Sequence, residues 1–222
     1  MKAVIFDMDG LMFDTERLVQ YSWNQAGRAM GKGDSGEEIY HTLGYNKEKR
    51  REYFKNLYGD RFDFETFQIL SSLYYYRYVQ KYGIPVKKGL YELLDYLIKN
   101  HYQIALATSS SHQSALKLLR ATGIDGYFSV MITGDQVQHS KPDPEIYQRA
   151  CDELKIKPSE GIALEDSYHG LQAAHACGLG AIFVPDLVLD DEPVRDIILC
   201  KCDSLLDVIT YLENITPKDY FL

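Results

Sequence analysis

The chain has 222 residues, a formal net charge of −8, 45% hydrophobic and 25% charged residues, a balance ordinary for a globular protein with a sizeable core. Its acidity argues against nucleic-acid binding, which rests on Lys and Arg meeting phosphates. No apolar run nears the roughly 20 residues that span a bilayer, and the opening stretch turns acidic at Asp7, too early for a signal peptide.

Short β-rich apolar runs at 3–6, 104–107, 130–132, 161–164 and 181–184 alternate with helical patterns at about 89–99, 112–122, 145–154 and 170–176. That alternation is the signature of βαβ units and a parallel sheet. Gly123, Gly178 and Gly180 are expected just past helix ends in left-handed conformations, and 204–213 reads as a closing helix. The rhythm breaks between residues 15 and 85, where helical periodicity recurs at 18–30, 39–43, 53–57 and 64–79 without a convincing strand. The expectation is an α/β core of residues 1–14 and 86–222, doubly wound about a parallel sheet, with an all-helical cap inserted at 15–85. The cap's exit lies at Gly83-Ile84-Pro85, where Gly and Pro punctuate the chain. Tyr74, Tyr75, Tyr76, Tyr78 and Tyr82 fall within one helical pattern; such a stripe reads as helix packing, with pocket lining as the alternative. Cys151, Cys177, Cys200 and Cys202 lack CxxC spacing and read as reduced thiols of a cytoplasmic protein.

In an open α/β sheet, ligands gather beyond the carboxyl ends of the strands. The first run ends in Asp7-Met8-Asp9-Gly10, two carboxylates that reach one pocket if the chain turns at Gly10. The second ends in Thr108-Ser109-Ser110-Ser111 before a helix, which reads either as an anion site of hydroxyl and backbone N–H groups or as an ordinary N-cap. The third leads to His139-Ser140-Lys141-Pro142-Asp143-Pro144, where two prolines stiffen the loop that carries Lys141. The fourth ends in Glu165-Asp166-Ser167. Four acidic groups at one mouth repel each other unless a cation lies between them, and Mg²⁺ is the hard oxygen-seeking ion usual beside phosphate.

Taken in this order, the motifs resemble the haloacid dehalogenase superfamily: DxDx, a Ser or Thr after the second strand, a Lys, and an acidic pair after the fourth. The run from Asp7 to Glu16, the KPDP stretch and Leu164-Glu165-Asp166-Ser167 resemble its β-phosphoglucomutase-like branch, which carries a helical C1-type cap. The resemblance implies a Mg²⁺-dependent phosphatase of a small phosphorylated metabolite, with a sugar phosphate foremost. Asp7 would form an aspartyl phosphate, and Asp9 would protonate the leaving alkoxide and then activate water. Thr108, Ser109 and Lys141 would cradle the phosphate. The ion would be held by Asp7, the carbonyl of Asp9, and Asp166, with Glu165 in the inner or outer shell. No nucleic-acid or membrane partner is implied.

The rival within the family is a sugar phosphomutase. Mutases of the branch use a cap histidine that helps position the acid/base aspartate; here that place is Val19, which cannot hydrogen-bond. Carbon–halogen cleavage would not need Asp9, and no cap lysine stands out for phosphonate chemistry. A non-catalytic sensor of a phosphorylated metabolite is the reading from another class, although binding alone would not require both carboxylates of the first motif. Arg17 and Lys47 are candidate substrate contacts in the cap, though surface helices carry such charges routinely.

Overall fold

In chain order the elements are β1 (Ala3–Phe6), α1 (Thr15–Ala29), α2 (Glu38–His41), α3 (Lys47–Tyr58), α4 (Phe64–Tyr82), α5 (Leu90–Lys99), β2 (Gln103–Thr108), α6 (His112–Ala121), β3 (Val130–Thr133), α7 (Glu145–Leu154), β4 (Gly161–Glu165), α8 (Tyr168–Cys177), β5 (Gly180–Phe183), β6 (Cys200–Lys201) and α9 (Leu205–Ile215). The computed structural model describes residues 1–42, 47–187 and 190–215. They form two compact units, Met1–Asp14 with Val86–Leu222, and Thr15–Pro85. Leu43, the end of the second expected helix, lies outside the described residues.

The first unit is a six-stranded sheet in the order β3-β2-β1-β4-β5-β6, with every pairing parallel. All four residues of β1 are fully buried, as expected for a central strand covered on both faces. Side chains alternate across the sheet. Ala3, Ile5, Ala105, Ala107, Ala163, Ala181 and Phe183 join one core cluster with residues of α7 and α8, and the alanines let those helices approach closely. By alternation, Val4, Phe6, Ile104, Leu106, Ile162 and Leu164 line the opposite face. The strand order reverses at β1, between β2 and β4, so the crevice at the carboxyl end of β1 is the topological switch point.

The second unit is entirely helical among its described residues. Its core is aromatic: Phe54 is fully buried, 4.8 Å between centroids from Phe67 and 5.2 Å from Trp23. The Asp63 side chain caps α4 by accepting from Thr66 N at 3.0 Å. The tyrosine stripe divides. Tyr78 packs on Tyr21 at 5.2 Å and on Tyr82 at 4.9 Å, while Tyr75 and Tyr76 line a cavity of about 250 Å³ within this unit, with Trp23, Arg50, Gln68 and Ser71 also on its wall.

The doubly wound sheet with a helical insert is the fold class expected. One local expectation is corrected. Gly123 and Gly178 have φ of 71° and 90°, but Gly180 is not left-handed; it is the first residue of β5, paired with Ile162. A side chain there would meet Leu199, for a Cβ would stand 2.6 Å from Cδ1. None of the four cysteines is in a disulfide, and no described helix is long and apolar enough to cross a membrane.

Candidate functional site

Asp7 is the first residue beyond β1, and its N–H still donates to Leu164 O of β4 at 3.0 Å. The backbone is therefore fixed by the sheet, and the side chain stands at the switch point with 11% exposure. Lys141 enters from the loop before α7, with its side chain 7% exposed. Its ammonium donates to Asp7 Oδ1 at 2.5 Å, Glu165 Oε1 at 2.7 Å and Ala107 O at 2.9 Å, which uses all three of its donors. The loop is tied down locally, because Asp143 Oδ1 accepts from Glu145 N at 2.9 Å at the start of α7.

Glu165 ends β4 and is fully buried. Besides Lys141, it accepts from Tyr147 Oη at 2.5 Å and Ser167 Oγ at 3.1 Å. It packs so closely on α8 that a Cβ on Gly170 would lie 1.9 Å from its carboxyl carbon. Asp166 turns toward the loop after β1. Gly10 there has φ of +82°, and a Cβ on it would stand 2.1 Å from Asp166 Oδ2. Asp7, Glu165 and Asp166 thus place carboxylate oxygens within 4.8 Å of one another.

Asp9, half-buried, is held by Ser110, whose hydroxyl donates to Oδ2 at 2.7 Å. Thr108, the buried end of β2, accepts from Ser110 N through its hydroxyl at 3.1 Å. Ser109 follows it at the exposed rim, with its carbonyl against Gly134. Ser111 is the N-cap of α6 and accepts from Ser114 N, so the capping function falls to Ser111 and leaves Thr108 to the crevice. All seven residues singled out from the sequence therefore lie at the carboxyl ends of β1, β2 and β4 or on the loop before α7. Arg17, Val19 and Lys47 belong to the helical unit; Val19 lines its cavity.

Crowding of charge perturbs the group. Burial pushes the Asp7 carboxyl up to about 7, and the nearby Glu165 and Asp9 add to the rise, outweighing the pull of Lys141. Burial acts the other way on Lys141, but Asp7 and Glu165 win and hold the ammonium above its ordinary value. Asp166 is raised by desolvation and by the charges of Asp7, Glu165 and Asp186. Three carboxylates face one ammonium here, and the donors are all hard oxygens. Such a set fits a divalent cation of the magnesium or calcium type.

The family model of the haloacid dehalogenase-like hydrolases matches residues 4–184, from β1 past the end of β5. The chain belongs to that family. A phosphorylated carbohydrates phosphatase of Thermotoga maritima is 31% identical, with 94% of this chain and 98% of that one covered. A Thermotoga maritima crystal structure assigned as a β-phosphoglucomutase superposes with a TM-score of 0.83 at 27% identity, covering 97% of this chain and 100% of that one. A mutant of CbbY from Rhodobacter sphaeroides, solved with xylulose 1,5-bisphosphate, has a TM-score of 0.70 at 26% identity, covering 92% and 95%. The neighbours are thus the β-phosphoglucomutase-like phosphatases that the motifs resemble.

Four contributors of this hydrolase were not read from the sequence. Tyr147 is fully buried against Glu165, with its hydroxyl raised well above its ordinary value, chiefly by burial. Nothing in a chain of 18 tyrosines marks it out. Ser110 lies within the stretch 108–111, which reads as an anion site or an N-cap without marking out its hydroxyl. Lys87, just before α5, and Asp186, in the loop after β5, form a 2.7 Å ion pair, and its only sequence signal is the exit of the fifth strand.

Proposed function

We propose that this hydrolase is a Mg²⁺-dependent phosphatase of small phosphorylated metabolites, sugar phosphates foremost, working through an aspartyl phosphate on Asp7. The observation that carries this reading is the buried pair of Asp7 and Lys141 at 2.5 Å, set at the switch point beside a second and third carboxylate. Phosphoryl transfer asks the protein for a positioned nucleophile and for positive charge around the equatorial oxygens. Mg²⁺ would be held by Asp7, the carbonyl of Asp9, and Asp166, while Glu165, committed to Lys141, Tyr147 and Ser167, would stand outside them. When bound, the ion supplies charge that offsets repulsion between carboxylate and phosphate.

The chain's own groups do the rest. Asp7 attacks phosphorus, and the alkoxide leaves with a proton from Asp9. Asp9 then takes a proton from water as that water attacks the aspartyl phosphate, restoring Asp7 and releasing phosphate. Lys141, the Thr108 hydroxyl and the Ser109 N–H hold the phosphate oxygens through charge-assisted bonds. Lys141 is pre-aimed by Ala107 O and Glu165, so little ordering remains when substrate arrives.

The sugar-phosphate class is supported by the carbohydrate phosphatase and by the xylulose bisphosphate of the CbbY relative. The mutase reading draws on the neighbour assigned as a β-phosphoglucomutase; Val19 favours water as acceptor over a second sugar hydroxyl. A screen of sugar and nucleotide monophosphates with Mg²⁺, repeated in EDTA, tests the proposal. Phosphate release from sugar phosphates that stops in chelator and returns with Mg²⁺ is expected. Absence of release from every compound, p-nitrophenyl phosphate included, would leave the sensor reading.

A further inference from the structure

The pair formed by Asp186 and Lys87 is asymmetric in a way that a simple clamp does not require. Asp186 lies three residues beyond β5, and its side chain is 1% exposed. Lys87 is anchored beside the loop after β1: its N–H donates to Met12 O at 2.9 Å, next to the bridge between Phe13 and Val86. The lysine takes only Asp186 Oδ1, at 2.7 Å. Oδ2 is buried and accepts no hydrogen bond from the described residues, a costly state for a carboxylate oxygen hidden from bulk water.

That second oxygen has a direction. The point that a Cβ on Gly10 would occupy is 2.1 Å from Asp166 Oδ2 and 3.5 Å from Asp186 Oδ2. Both oxygens therefore converge on the space that Gly10 leaves open, close enough for one water to bridge them. Asp186 is not among the three carboxylates with oxygens within 4.8 Å of one another, Asp7, Glu165 and Asp166. An unpartnered carboxylate oxygen just outside such a set suits the hydration shell of a cation, where outer acceptors orient what the inner ligands hold.

We infer that Asp186 is a positioning residue of the cation site, its Oδ2 accepting a hydrogen bond from the water shell of the ion beside Asp166, with Lys87 fixing its orientation. The inference rests on the Mg²⁺ reading proposed above. Lys87 gives the carboxylate one fixed partner and a compensating charge, which helps a fourth acid to be buried beside Asp166.

The test is calorimetric titration of the full chain with Mg²⁺ alone, with thermal melting in EDTA to report folding. Asp186→Asn should weaken Mg²⁺ binding about tenfold, the lower end of what loss of an outer-shell partner costs. The double variant Lys87→Gln/Asp186→Asn removes one charge of each sign, leaving net charge unchanged and no half-buried lysine without its carboxylate. It should show the same loss, which separates a local hydrogen bond from long-range attraction. Affinity within twofold of wild type in either folded variant overturns the inference, as does failure of both variants to fold, which would make the pair a structural clamp. Wild-type protein that takes up no Mg²⁺ overturns the metal reading itself.

Discussion

Replacing Asp7 by Asn should abolish turnover and yet stabilise the metal-free protein at neutral pH. The Asp7 carboxyl rises from 3.8 to about 7 on folding, mainly because burial disfavours its charge. Between those values the folded chain holds a proton that the unfolded chain has lost, so stability falls as pH rises through the window. The gap of about three pH units, at 1.36 kcal/mol each, sets a ceiling of about 4 kcal/mol on the penalty above pH 7. Asn carries no charge at any pH and keeps the shape, but it weakens the bond to Lys141, which retains Glu165 and Ala107 O. A net gain of about 2 kcal/mol is expected, or about 4–8 °C in Tm for a chain of this size.

The assay is thermal melting in EDTA at pH 5 and pH 8. Wild type should lose stability between the two. The variant should lose less, though not nothing, because Asp166 is shifted in the same direction. Turnover with Mg²⁺ should fall below a few per cent, the amide being a far weaker nucleophile. A variant less stable than wild type at pH 8, or one with the same advantage at pH 5 as at pH 8, would refute the charge argument. Retained turnover would remove Asp7 as nucleophile.

Asp9→Asn should cost alkyl phosphates far more turnover than aryl phosphates, whose leaving groups need little protonation; equal losses in kcat would make Asp9 structural. Gly170→Ala should destabilise by about 1–3 kcal/mol and depress activity, because overpacking forces the Glu165 carboxyl off Lys141 and Tyr147; unchanged melting and kinetics would contradict the close approach. Ca²⁺ in place of Mg²⁺ should bind but support little turnover, since its longer, more numerous bonds let a carboxylate chelate both oxygens and lose its attacking geometry; comparable initial rates would count against Asp7 acting both as ligand and as nucleophile. Phosphorus NMR on β-glucose 1-phosphate, with and without the 1,6-bisphosphate, should show net phosphate release; conversion to glucose 6-phosphate outpacing release would favour the mutase.

The strands were legible because β1, β2 and β4 are short apolar runs that end abruptly in polar residues, and that abruptness marks Asp7, Thr108 and Glu165. Lys141 was legible from its prolines. Sequence spacing does not carry the order of strands across the sheet, which alone brings residues 134 and 24 positions away onto the Lys141 ammonium. β6 escaped because two residues, Cys200–Lys201, give no period to read. Asp186 escaped for a narrower reason. The apolar run at 181–184 is offset by one residue from the strand, Gly180–Phe183, so its apparent end falls at Val184, two residues short of Asp186. Tyr147 had no such handle, since its role depends on α7 crossing the sheet beside Glu165.

What makes these acids a site is as much the side chains missing around them as the carboxylates themselves. Gly10 and Gly170 are the two places where a Cβ would come to about 2 Å from an oxygen of Asp166 or of Glu165. An acidic pair after a fourth strand, with alanine at either place, would keep its motif and lose its geometry, because neither β1's exit nor α8's first turn could close on it. At Gly10 the demand is double. The φ of +82° is strained for any side chain, and the same open space receives the oxygens of both Asp166 and Asp186. The glycine after the second aspartate therefore acts less as a flexible turn than as a hole of fixed shape that admits two carboxylate oxygens. A motif search that counts only acids reads half of that design.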